Sequence, residues 1–230
     1  MYIQGPEVFL DSLSNAQSEG FQVHRFDEKY FIQSSEFEQY GKEDAKEVNK
    51  IGSRFVSILT GIYYWKFDIK DAIKVCGLYR LNDTGGKDAF LFAEPIVCRT
   101  TVYPVNLILK DSEGNIVGKS FSNSTLVDFE KVKSNPKAEF ILRLISSEGW
   151  EFSTMYKIIE IIQSDMGGKI YSQVSRDKIT LLNRTACHVG AIGDKARHGH
   201  TNQEPPPVPM SLDEAKGIVR GLIGYYFQNL

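Results

Sequence analysis

The sequence predicts an α+β protein, with an N-terminal antiparallel β-meander packed with helices followed by a C-terminal α-helical bundle. Three observations predict it. Apolar and polar residues alternate across 73–81, and the chain returns as an apolar, β-branched stretch at 89–105 after a turn rich in Gly and Asp. Beyond Gly149 the strand pattern gives way to apolar residues recurring every three or four positions. Between the two patterns the run SSEG at 146–149 punctuates the chain, which sets an α+β domain at 1–147 and a helical domain at 150–230.

Taken in order, residues 6–18 place Val8, Phe9, Leu13 and Ala16 at helical spacing, with Pro6 suited to the first turn and Gly20 to the stop. Residues 21–26 alternate and 30–33 follow, predicting one or two strands, with His24 on the polar side and exposed. Across 43–63 the stripe Ala45, Val48, Ile51, Phe55, Val56 and Leu59 predicts an amphipathic helix. The strand at 73–81 then turns through NDTGGKD at 82–88, and a second hairpin signal, DSEGN, stands at 111–115. Gly85-Gly86-Lys87 is a turn and not a phosphate loop, because Leu81 stands where the first Gly belongs and Asp88 where the hydroxyl belongs.

Helical signals resume at Asn135, a capping residue, followed by Pro136 at the first helical position and the stripe Phe140, Ile141, Leu144 and Ile145. A helix from 150 stops at Gly167-Gly168, and a second, from about Ser175 to Gly199, is expected to bury Ile179, Leu182, Ala186 and Val189 and to present Arg184, His188 and Lys195 on the other face. A proline-rich connector at 201–209 leads to a last helix announced by the capping box Ser211-x-x-Glu214.

Composition bounds the function classes. The 230 residues carry a formal net charge of −2 and an ordinary globular balance of 42% hydrophobic and 24% charged residues, well away from disordered compositions. There is no apolar run of membrane-spanning length and no signal-peptide pattern, so no membrane partner is expected and the cytoplasm is the expected location. Cys76, Cys98 and Cys187 lie far apart with no C-x-x-C pair, so they are expected to be reduced. No cofactor is expected: His198 and His200 are near Asp194 and Glu204, but neither an H-E-x-x-H nor a cysteine ligand set appears. A G-x-S-x-G elbow is absent too.

The stretch 182–200, LNRTACHVGAIGDKARHGH, is the candidate site. It holds His188, His198 and His200 with Arg184, Lys195 and Arg197. From 169 to 200 six cations face two anions, an offset that draws a phosphate-bearing partner by steering and counterion release. The same residues also fit a solvated helix face.

The run 150–230, with NRTA at 183–186, GDKARHG at 193–199, the proline-rich connector and SLDEA at 211–215, resembles the C-terminal half of a group of uncharacterised bacterial proteins. More loosely it is similar to the HEPN domains (higher eukaryote and prokaryote nucleotide-binding), all-α bundles of toxin, abortive-infection and RNA-processing proteins. The resemblance implies RNA as partner, a homodimer through the helical domain, and a metal-independent endoribonuclease of defence or toxin type built on an Arg and a His with four to six residues between them. This chain departs from that spacing: only three residues separate Arg184 from His188, and Arg197 is followed at once by His198 and then His200. On this reading Arg197 holds a phosphate, His198 does acid/base work with His200 or His188 as second group, and Arg184, Lys195 and Arg197 bind the nucleic acid. The alternative is a non-enzymatic protein-interaction or regulatory module, with its partner on the α+β domain and a structural Arg/His cluster.

Overall fold

The computed structural model describes residues 1–16, 20–41, 43–70, 73–81, 87–90, 128–199 and 204–230. They form an α+β protein of two compact units, one made of residues 1–60 and 71–130, the other of 61–70 and 131–230. These units are not the consecutive halves 1–147 and 150–230 that the SSEG run announces. The helical residues 136–148 and the stretch 61–70 both group with the C-terminal helices.

Among the described residues the first unit is built on a five-stranded sheet of order β2-β3-β1-β4-β5. Its strands are β1 (Tyr2–Gln4), β2 (Phe21–Phe26), β3 (Lys29–Ser34), β4 (Lys74–Leu81) and β5 (Lys87–Phe90), and every pairing is antiparallel. The strands do not run as a simple meander. The β2–β3 and β4–β5 hairpins stand on either side of β1, a central strand that the sequence reading passes over. Residues 91–127, including the second hairpin signal at 111–115, lie outside the described residues.

Helix α1 (Glu7–Ser14) packs on β2, and a polar network pins it there. Tyr30 donates its hydroxyl to Asp11 at 2.6 Å, while Arg25 reaches both Asp11 and Glu7 at 3.0 Å. The short α2 (Ser35–Glu38) starts on the Ser34 hydroxyl, which accepts from the Glu36 amide. Helix α3 (Ala45–Phe67) contributes residues up to Thr60 to this unit and residues from Gly61 to the other. The core is centred on three rings: Phe21 stands 4.3 Å from Phe129 of α4 (128–134) and 5.7 Å from Phe55 of α3, centroid to centroid.

The second unit is all-helical among the described residues, with α5 (Pro136–Glu148), α6 (Phe152–Met166), α7 (Arg176–Cys187), α8 (Val189–Ile192) and α9 (Leu212–Gln228). Asn135 caps α5 as its sequence predicts, its side-chain oxygen accepting from the Lys137 and Ala138 amides, and Ser211 caps α9 by accepting from Glu214. Helices α6 and α9 are tied by the Tyr226 hydroxyl, which donates to Asp165 at 2.7 Å while Lys137 reaches the other oxygen of that carboxylate at 2.6 Å. The paired Lys137 and Tyr226 donors hold the Asp165 carboxyl below its usual range.

Gly61 lets α3 meet α5. A Cβ there would lie 2.6 Å from the Leu142 Cβ and 2.8 Å from the Leu142 carbonyl oxygen, closer than atoms pack. Gly61→Ala is therefore expected to destabilise by about 1–3 kcal/mol through overpacking, despite the better helix propensity of Ala. At Gly217 of α9 nothing lies within 4 Å of such a Cβ, and Gly217→Ala is expected to stabilise by up to about 1 kcal/mol. Urea titration of the two variants reads both signs.

The single helix expected from Ser175 to Gly199 is not formed. Helix α7 ends at Cys187 because His188 takes an extended conformation, φ −112° and ψ 120°. After one turn of α8, Gly193 adopts φ +65°, which only a residue without a Cβ takes cheaply, and the chain bends back. Of the face expected to be buried, Ile179, Leu182 and Ala186 are buried on α7, whereas Val189 is exposed. Among the described residues no helix is long and apolar enough to cross a membrane.

Candidate functional site

The residues gathered by the 182–200 stretch sit on a closed loop after α7. Ile179, Leu182 and Ala186 anchor the helix in the core, and Thr185, fully buried, donates to the Leu181 carbonyl at 2.8 Å and accepts the Met210 amide at 3.1 Å. That second bond fixes the end of the proline-rich connector just ahead of α9. The loop closes where the Arg197 amide donates to the Ala186 carbonyl at 2.9 Å and His188 pairs with His198 in a short parallel bridge.

Each described cation of the stretch meets a partner from its own unit. The Arg197 guanidinium lies 4.1 Å from the centroid of the Tyr156 ring and 3.5 Å from Glu160, both on α6 and one turn apart. It also bonds the Cys187 thiol, yet burial outweighs that charge and pushes the thiol up from its ordinary range. Burial and the hydrogen bond to Glu160 likewise push the Tyr156 phenol up, against the opposing charge of Arg197. Lys195 pairs with Glu151 at 3.1 Å, and Arg184 donates to the Glu204 main-chain carbonyl at 3.1 Å.

His188 faces the backbone. Its Nδ1 accepts the Gly190 amide at 2.9 Å, capping α8, and the ring lies so close to Gly190 that an added Cβ would stand 3.1 Å from it. Pro205 of the connector closes in on the same glycine. His198 is exposed, and His200 lies outside the described residues. The stretch thus brings His188 and His198 together through the main chain and sends Arg184, Lys195 and Arg197 to three different partners.

Sequence reasoning missed those partners. Glu151, Tyr156 and Glu160 lie a helix away, and a charge count along 169–200 does not see them; Glu214 of α9, which pairs with Lys178 at 3.1 Å, escapes it too. The legible signal was the Tyr156-x-x-x-Glu160 spacing, which puts a ring and a carboxylate on one helical face. Among the described residues no group of three or more His, Cys, Asp or Glu side chains could hold a metal ion.

A concavity also lies in the first unit. A cavity of about 640 Å³ opens beside Met1 and is walled mainly by Ile32, Phe37, Val48, Leu78 and Tyr79, with His24, Glu38 and Tyr40 also on its lining. That volume lies in the range of small-molecule and peptide sites. The Met1 amino group donates to the Ile32 carbonyl at 2.7 Å and the Ile32 amide returns a bond to the Met1 carbonyl at 2.8 Å, so β1 is paired up to its first residue.

Compared with family models, with curated proteins and with solved structures, the chain matches none, so the likeness of 150–230 to HEPN domains rests on its short motifs alone.

Proposed function

We propose that the chain is a non-enzymatic protein-interaction or regulatory module whose partner engages the α+β unit, and that the Arg/His cluster is structural. One observation carries this reading: Arg184, Lys195 and Arg197 are each engaged inside their own unit, Lys195 by the α6 N-cap Glu151 and Arg197 by Glu160 of α6, and His188 spends a ring nitrogen on its own backbone. Lys195 and Arg197 must each leave a carboxylate before they can hold a phosphate, at a cost of up to about 1 kcal/mol for such exposed pairs. The cluster's work is instead to close the 188–198 loop and to seat the connector that delivers α9.

A second reading keeps the RNA-directed, HEPN-like protein, with a homodimer through the helical unit. It is favoured by the exposure of His198 beside the His188 main chain. There Arg197 would hold the phosphate, His198 would take the 2′-hydroxyl proton, and His188 or His200 would protonate the leaving oxygen.

Fluorescence anisotropy with a 20-nucleotide single-stranded RNA at low salt separates the two. The module reading expects no saturable binding, and it expects Arg197→Ala to cost about 1 kcal/mol of stability through the lost ring and carboxylate contacts. Salt-dependent binding that Arg197→Ala abolishes, with RNA cleavage lost in His198→Ala, would establish the ribonuclease instead.

A further inference from the structure

His188 holds the 188–198 loop with a bond that only a neutral imidazole makes. Its Nδ1 accepts the Gly190 amide at 2.9 Å, so in the closed loop that nitrogen carries no proton and the ring proton sits on Nε2. Imidazolium has no acceptor left, since both of its nitrogens donate. Turning the ring over does not restore the bond, because that brings Cδ2–H to the same amide. The fit leaves little room for another arrangement: a Cβ added at Gly190 would stand 3.1 Å from both Cε1 and Nδ1 of the ring and 3.4 Å from Pro205 of the connector. A protonated ring must therefore swing out of this seat, which removes the cap of α8 beside the connector.

We propose that His188 is a proton-operated latch: neutral, it holds the 188–198 loop shut against α7 and the connector, and protonated, it releases the loop as the medium turns mildly acidic. The proposal rests on the structural reading of the Arg/His cluster and gives that cluster a regulation. Gly190 is the second residue of α8, the position whose amide an N-cap side chain ordinarily serves. Asparagine, aspartate or serine, the common residues there, accept that amide at any pH near neutrality. An imidazole in the same place adds sensitivity to protons, because it is the side chain that ordinarily changes charge between about pH 5 and 8. Falling pH favours the open loop, since only the open loop accommodates the extra proton.

The loop is built to respond as a unit. It bends at His188, whose backbone is extended, and at Gly193, where φ is +65°. Its far end is fastened by the Arg197 amide on the Ala186 carbonyl at 2.9 Å and by the bridge from His198 to His188 itself, so a displaced His188 loosens both closures. The ionisable groups on the elements that meet His188 are Arg184 on α7, Asp194, Lys195, Arg197 and His198 on the returning half of the loop, and Glu204 on the connector. Lys195 and Arg197 are paired with Glu151 and Glu160, and Arg184 bonds the Glu204 carbonyl. The lost acceptor, and not a gathering of like charge, therefore drives the opening. His198, a second imidazole on the same loop, calls for its own control.

The test reads amide hydrogen exchange by NMR on the full chain at pH 8.0 and pH 5.5, each rate taken relative to that of an unstructured peptide at the same pH. The Gly190 and Arg197 amides report on the loop, and the amide of Leu182, buried on α7, is the reference. At pH 5.5 protection at Gly190 and Arg197 is expected to fall about tenfold relative to Leu182, the weight of one lost hydrogen bond. The imidazole nitrogen spectrum of His188 at pH 8.0 is expected to show the Nε2–H tautomer. His188→Asn keeps an acceptor for Gly190 that does not titrate in this range, so both amides are expected to stay protected at both pH values. His198→Gln is expected to retain the wild-type response. Unchanged relative protection in the wild type, a response that persists in His188→Asn or vanishes in His198→Gln, or the Nδ1–H tautomer at pH 8.0 overturns the latch and leaves the structural reading of the cluster standing. Saturable RNA binding in the anisotropy experiment sinks that reading whatever the exchange rates show.

Discussion

Phe129→Ala is expected to lower the unfolding free energy by about 3–5 kcal/mol, read from the urea midpoint at constant slope. Phe129 is fully buried, and its ring stands 4.3 Å from that of Phe21 on β2 and 5.6 Å from that of Phe55 on α3. Truncation therefore removes the transfer free energy of a whole ring and leaves a hole among two aromatic neighbours that cannot both move in to fill it. Phe129→Leu keeps most of the apolar volume and is expected to cost clearly less. A loss below about 1 kcal/mol for the alanine variant would show that α4 does not complete this core.

The second large effect is a pH dependence that comes from the first residue. Burial pushes the Met1 amino group from 8.0 down to about 6. Between those values the unfolded chain holds a proton that the folded chain has released, so stability must rise with pH through that window. The contribution is present in full above pH 8, shrinks as pH falls, and is gone below about pH 6; two pKa units correspond to about 2–3 kcal/mol. Thermal melts at pH 6.0, 7.0 and 8.0 on the free-amine chain, set against the N-acetylated chain, isolate it, since every other titrating group is common to both. Parallel pH profiles for the two forms would refute the assignment.

The parts of the fold legible in the sequence are those carried by local chemistry. Asn135 with Pro136, the Ser211 cap and the Val48–Phe55–Leu59 stripe each act within a turn or two of helix, and each stands where the sequence places it. Strand β1 was illegible because three residues are too few to show alternation, although Gly5-Pro6 directly after them marks its end. The break at His188 was hidden for a different reason. Residues 176–198 carry a helical period throughout, and what interrupts it is an imidazole bond to the Gly190 amide together with the pull of Arg197 back onto the Ala186 carbonyl. Likewise the candidate site was visible as a set of residues but not as an electrostatic environment. Glu151 and Glu160, which answer Lys195 and Arg197, lie more than thirty positions away in the chain.

Helix α3 gives the molecule an interleaved order of assembly. The stretch 61–70 belongs to a unit whose remaining residues do not begin until 131. Its contacts wait for α9: the Trp65 indole donates to the Arg220 carbonyl at 3.1 Å, Arg220 reaches back to the Lys66 carbonyl, and Asp68 pairs with Lys216. During synthesis Trp65 is thus made some 155 residues before its acceptor, so this unit closes only once α9 has emerged, through contacts of high sequence separation that form slowly. A gene fragment cut at 150 would encode helices α6 to α9 without the indole that α9 is shaped to receive.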